Sequence, residues 1–393
     1  MSISKKFFHS MSENFKKVID TEENKFYNSE KSQHPTLNFK KFRRGIFRRR
    51  GGVMFRILAV LLMMICLPLL TGCGGGTQQG ERKEGDYQQI KLVMSVNGTN
   101  IAPDTKVAMK FAELMAEESG GNITIDVFPN DQLAGGNASK GIEMIADGAV
   151  DLAAYAAGVM AVMDEHLLIA TIPWTFNNYK EAREIIDTTG GEYYKKILAT
   201  QGMTYLASAH NGFRQITNGK HAVLTPEDVA GLKIRVPGGE VYFKFWKAFN
   251  ADPVAMSWSE AFTAIQQGTI DGQENGFSVT NSAKVNEIQQ YMTVWNYTYE
   301  NYLFVANTKI FDSLEPKTQE LIRAKAKEAC EWGRDLVEND EENLKKKFID
   351  GGMEVVTLTP EQLKPFQERV QGVRKELMEK YGQEACEAFR MKM

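Results

Sequence analysis

Little in this 393-residue sequence points to chemistry carried by sulfur, imidazole or a bound metal. Its four cysteines and five histidines show no C-x-x-C pair and no histidine spacing of metal-ligand type. Cys66 and Cys73 sit in an N-terminal apolar segment, and Cys330 and Cys386 fall in charge-rich helical stretches, where packed thiols are expected rather than a disulfide. His166, His210 and His221 remain in the body of the chain, and His210, in SAHNG, is expected to be packed or solvated rather than part of a site. No G-x-S-x-G elbow, H-E-x-x-H, Walker loop or strand-borne G-x-G-x-x-G is present. GGNASKG is glycine-rich, but its lysine precedes the last glycine, the reverse of a P-loop. Positive charge is also scarce where it would count. The net charge is −3, yet residues 1–72 hold 14 Lys/Arg against 5 Asp/Glu, so the chain from Cys73 onward is near −12. An acidic body excludes nucleic acid as a partner, because phosphate binding needs a basic face.

A membrane span is missing too. The longest apolar run, Ile57 to Leu70, has 14 residues, and a spanning helix needs roughly 20. Arg56 flanks it on the positive side, and Leu70-Thr71-Gly72-Cys73 follows it. That tetrad resembles a bacterial lipobox, which implies that Cys73 is acylated, becomes the first mature residue and holds the protein to a lipid bilayer. A signal-anchor helix with an incidental cysteine is the alternative. Residues 1–72 are thus expected to be an N-terminal extension and signal peptide, with 73–87, rich in glycine after Cys73, a flexible tether. Met54 alone would give an n-region of ordinary length, so translation is expected to start there; a genuine long n-region carrying KFRRGIFRRRGG is the alternative.

What the chain does have is the 43% hydrophobic, 25% charged composition of a soluble globular protein, with length for two domains. Strand-like runs (IKLVMSV, ITIDVF, VDLAAYAAG) alternate with helical ones, a rhythm that implies a parallel sheet with its ligand site beyond the strands' C-terminal ends. After MTYLASAHNG the rhythm restarts with RQITN, KIRV and TIDGQENG, and Tyr302–Ala306 is expected as a further strand. Asp104 is expected as the N-cap of a helix to Ser119, and Ser257-Trp258-Ser259-Glu260 reads as a capping box. Pro316 to about Asp350 reads as one long charged helix without a heptad, able to brace two lobes over roughly 50 Å.

In GLKIRVPGGE, Leu232, Ile234 and Val236 alternate on one face of a strand, with Lys233 and Arg235 on the other. On this pattern alone Arg235 is a solvated charge on an edge strand or a functional group. The wider context decides. N-G-x-R-Q at Asn211, G-L-K-x-R-V-P at Gly231, P-x-x-M-x-x-x-E at Pro253 and D-G-Q-E-N at Asp271 occur in order over about 65 residues. Together they resemble the extracytoplasmic substrate-binding subunit of TRAP transporters, the DctP family, and the likeness runs over nearly all of 88–393.

That resemblance implies an α/β, two-lobed periplasmic-binding-protein-like fold with hinge strands and the long helix bracing both lobes. Lobe I is expected as 88–210 with 300–339 and lobe II as 211–299 with 340–393. Arg235 is implied to pair with the ligand carboxylate, which a guanidinium fork matches bidentately. Arg214 is implied as a second arginine, with a structural pair to Asp271 or Glu274 as its alternative. Asn275 is implied to bond the ligand and Trp258 to cap it, although Trp258 also reads as a core residue. On lobe I the matching places are Ser95 and Asn97 and the tip Tyr155-Ala156, a sequence that suits a smaller or less polar organic acid than an amino sugar. The family works with a small and a large membrane permease subunit driven by an ion gradient. This chain is therefore expected to have no catalytic activity, no cofactor and no metal, although a metal-bridged ligand would involve Gln273 or Glu274. A same-fold receptor for a sensor kinase or another tripartite system is the nearer alternative. A surface lipoprotein enzyme using Asp271 and Glu274 is the remote one.

Overall fold

The computed structural model describes residues 86–393; the apolar run, Cys73 and the glycine tether lie outside the described residues. Strand β1 (Ile90–Val96) buries Leu92, Met94 and Val96 by simple alternation. Helix α1 (Pro103–Glu118) follows, opened by a proline in its first turn. Its N-cap is Ala102, not Asp104, whose carboxylate lies inside the first turn and accepts the N–H of Gly98 (2.8 Å) and of Thr105 (3.0 Å). Strands β2 (Ile123–Phe128) and β3 (Leu152–Ala156) flank β1 in parallel. Between them runs α2 (Ala138–Ala146), capped by the Asn137 side chain.

Three helices, α3 (Ala157–Met160), α4 (Tyr179–Ile186) and α5 (Thr189–Thr200), lead into β4 (Met203–Asn218). Here MTYLASAHNG and RQITN are one 16-residue strand rather than two. The parallel rhythm then repeats through β5 (Lys233–Val236), α6 (Glu240–Ala248), β6 (Asp252–Ala255), α7 (Trp258–Gln266) and β7 (Gly272–Asn275). After α8 (Phe277–Ser282) comes β8 (Tyr291–Asn307), 17 residues antiparallel to β4, of which Tyr302–Ala306 is only the end. The chain closes with α9 (Thr308–Ser313), α10 (Pro316–Asp350), β9 (Glu354–Thr357), α11 (Pro360–Arg369) and α12 (Gln371–Ala388).

The strand order is β2-β1-β3-β8-β4-β7-β5-β6, with β9 added beside β8. Two parallel triplets, β2-β1-β3 and β7-β5-β6, thus hang on opposite ends of the long β4–β8 pair: β3 pairs with Tyr302–Ala306 of β8 and β7 with Gln215–Asn218 of β4. This is a two-lobed α/β fold whose connecting strands belong to both lobes. Midway, the β4–β8 register slips between His210 and Gly212 and again between Arg214 and Ile216. Gly212 has φ +108°, and a Cβ there would lie 2.9 Å from the Tyr179 hydroxyl.

Helix α10 runs beside β4 and is as long, roughly 50 Å for each. Arg323 reaches the Tyr205 carbonyl near one end, Glu338 bonds His210 at the middle (2.9 Å), and Phe348 stacks on Phe277 at the other. The helix sits so close to α1 that a Cβ on Gly333 would be 2.1 Å from Val107 Cγ2. Phe389, after α12, packs on Tyr193 and Tyr194 of α5, while Lys244 of α6 bonds Glu376 of α12, so the C-terminal segment links α5 and α6. Cys330 and Cys386 are buried and free. No helix among the described residues is long and apolar enough to cross a membrane.

Candidate functional site

Strand β5 is interior, between β7 and β6, so its charge is not on an edge. Lys233, at its start, is exposed; Arg235, two residues on, is 4% exposed. Pro237-Gly238-Gly239 then stops the strand, with φ +125° and +83° at the two glycines. The Arg235 guanidinium donates to the Met256 carbonyl through Nε (3.1 Å) and Nη2 (2.9 Å), and its Cζ lies 5.1 Å from the Trp258 ring centroid. Among the described residues it has no carboxylate partner and Nη1 donates to no acceptor. Burial, with the Arg214 guanidinium nearby, pulls its pKa down to about 10, so the group stays charged at neutral pH.

Arg235 faces the gap between the lobes. Two adjoining cavities, about 450 and 30 Å³, share Asn97, Val159, Arg235, Pro237 and Trp258 as walls. Asn275, at the end of β7, lines the inner one, as do Asn211, Glu300 and Tyr302 from the middle of β4 and β8. Asn97 and Asn275 each commit an amide N–H to the protein, to Asp131 (2.5 Å) and to Gln273 (2.7 Å), which leaves both carbonyl oxygens uncommitted. Ser257 is indeed the N-cap of α7, but its hydroxyl accepts no capping bond. Ser257 instead lines the larger cavity, so the expected capping box does not form.

Arg214 is there too, but engaged. Nε and Nη2 hold the Glu274 carboxylate (2.5 and 2.7 Å), Nη2 also reaches the Glu274 carbonyl (2.7 Å), and Nη1 bonds Glu300. Glu274 further accepts from Tyr297 (2.6 Å). Glu300 accepts from Asn211 (2.6 Å), Gly158 N–H (2.9 Å) and Tyr242 (3.1 Å). All three charged side chains are buried. Burial raises the Glu274 pKa, while the Arg214 charge opposes the rise. The structural alternative for Arg214, a pair with Glu274, is the arrangement seen.

Two expected lobe I contacts are displaced. Ser95 and Tyr155 bond each other (3.0 Å) and neither lines either cavity. The cause is strand parity: Tyr155 projects toward α2, where a Cβ on Gly141 would meet its hydroxyl at 2.2 Å, and the neighbouring Ala156 faces the cleft instead. Asn97, just beyond β1, does reach the cavities. Sequence reading missed Glu300, Asn211, Val159, Pro237 and Tyr302 as walls. Asn211 and Pro237 lay within the quoted motifs, and Glu300, a lone acid in the aromatic-rich WNYTYENYLFVAN, also carried a visible signal. A separate depression of about 180 Å³ lies between α10 and β4, but its arginine, Arg334, is paired with Asp187 (2.7 Å), and it shares no wall residue with the two cleft cavities.

Residues 94–381 match the sequence profile of DctP, the bacterial extracellular solute-binding protein family 7. The chain belongs to this family. It is 31% identical over 250 residues to the 2,3-diketo-L-gulonate-binding periplasmic protein YiaO of Escherichia coli (strain K12), covering 64% of this chain and 76% of that protein. Among solved structures, the sugar-acid-binding protein DctPAm of Advenella mimigardefordensis, in complex with galactonate, superposes with a TM-score of 0.74 at 26% identity. That match covers 77% of this chain and 97% of the other. A TRAP periplasmic solute-binding protein of Shewanella oneidensis, with bound succinate, gives 0.72 at 26% identity over 76% and 98%. As a member of the DctP family, this chain is a TRAP-type solute-binding subunit, and it is extracytoplasmic.

Proposed function

We propose that this DctP-family chain captures an organic acid between its lobes, with Arg235 as the carboxylate anchor. Asn97 and Asn275 orient the ligand and Trp258 covers it. The lobes, taken as 88–210 with 300–339 and 211–299 with 340–393, close by bending the β4–β8 pair at its register slips. Closure follows ligand because contacts from both lobes are satisfied together only when shut. The loaded protein, tethered to the bilayer through acylated Cys73, then docks on the small and large membrane subunits of an ion-gradient-driven permease. The chain itself performs no chemistry and needs no cofactor. The observation that carries this reading is a buried arginine held out into the cleft with no acid of its own. The enzyme alternative fits poorly: Glu274 is bound up with Arg214 and Tyr297, and Asp271 accepts from the Lys233 N–H (2.9 Å) and pairs with Lys220 (3.2 Å).

A thermal-shift panel tests it. An organic acid at 1,000 times its Kd should add roughly 4 kcal/mol of stability. For about 300 ordered residues that raises Tm by roughly 6–10 °C. A shift with an acid, absent with its amide, supports the anchor. Equal shifts with acid and amide would sink it.

A further inference from the structure

The charges around the cleft are lopsided, and the imbalance bears on which acids fit. Among the described residues, the only cations lining the two cavities are Arg214 and Arg235, and Arg214 already holds two carboxylates. Against one uncommitted cation stand three acids on the same walls: Asp104 and Glu300 inside and Glu165 at the rim. Asp104 is fully buried, and burial pushes its pKa up to about 7, so it already resists carrying its own charge. Glu165 is paired with Lys380. The other uncommitted polar groups are neutral: the carbonyl oxygen and the second amide N–H of Asn97 and of Asn275, and the side chains of Ser139 and Ser257 on the larger cavity.

We propose that the cleft selects a hydroxylated monocarboxylate and discriminates against dicarboxylates. The proposal rests on Arg235 as the anchor of the first carboxylate. With that anchor used, a second carboxylate would meet Asp104 and Glu300 with no further uncommitted cation on the described walls to balance it, a like-charge contact that neutral amide N–H groups do not offset. A hydroxyl in the same place finds acceptors and costs no charge burial. This narrows the smaller or less polar acid that the sequence suggests, relative to an amino sugar, to one carrying hydroxyls.

Titration calorimetry of the purified protein at about pH 8, where Asp104 is mostly ionised, tests it with acids matched in length. Threonate is set against succinate, and gluconate against adipate. The better-fitting pair should show the hydroxylated monoacid binding at least about tenfold more tightly than the diacid. A diacid that binds as tightly as its partner, or more tightly, overturns the selection but leaves the arginine anchor standing. Failure of every carboxylic acid to bind would overturn both.

Discussion

Replacing Arg214 by methionine separates the two roles the sequence allows it. In the structure its guanidinium lies between Glu274 and Glu300, all three side chains buried. Removing the cation strands two carboxylates in the core, where breaking a buried pair costs about 3–5 kcal/mol. About 300 ordered residues give an unfolding entropy near 0.65 kcal/mol per degree. The melting temperature of the ligand-free protein should therefore fall by about 5–8 °C, read by differential scanning calorimetry. Adding Glu274→Gln to Arg214→Met should recover part of that loss, because one stranded charge is neutralised. A ligand-free Tm within about 2 °C of wild type, coupled with lost ligand affinity, would refute the reasoning and make Arg214 a ligand group.

Three further outcomes are expected. His210 is held down to about 4, chiefly by burial, although Glu338 favours its charged form. Its folded pKa lies below the unfolded value near 6.5, so the unfolded chain binds the extra proton and stability falls as pH drops from about 6.5 to about 4. Burial raises Asp104 and Glu341, each to about 7, which gives slopes of opposite sign, so the comparison to make is wild type minus His210→Asn by chemical denaturation; a difference flat across that window counts against the buried neutral imidazole. Gly333→Ala should cost about 1–3 kcal/mol by forcing α10 off α1, and Val107→Ala in the same chain should relieve part of it; equal Tm values would deny the close approach. Cys73→Ser should move the protein from the detergent phase to the aqueous phase in a partition assay, and unchanged partitioning would remove the lipid anchor.

The sequence was most legible where one period governs. Pro316–Asp350 is helical over the whole span its uninterrupted charged pattern suggests. KIRV is a strand stopped by Pro-Gly-Gly, as its alternation requires. Legibility failed where tertiary context overrides a local signal. Strand β4 looked like two strands because Gly212, in a left-handed backbone conformation, interrupts the alternation at a register slip. Tyr155 was placed at the right strand end but on the wrong face, since parity cannot be read from β3, which is buried on both sides, and Ser95 shares that face by bonding Tyr155. Ser257 met the capping-box pattern, yet its hydroxyl makes no capping bond and the residue lines the larger cavity. Arg214 and Arg235 look alike in sequence; only the fold shows that Glu274 and Glu300 converge on the first and leave the second without an acid.

The most direct test of the account is the affinity of Arg235→Ala for whichever acid the wild type binds best, by titration calorimetry. The guanidinium can offer Nη1 and Nη2 to one carboxylate, and charge-assisted bonds contribute about 1.5–3 kcal/mol each. The account predicts a loss of about 10²–10⁴ in affinity, with the ligand-free Tm unchanged or raised because an unpaired buried cation has been removed. An affinity within about threefold of wild type would contradict it.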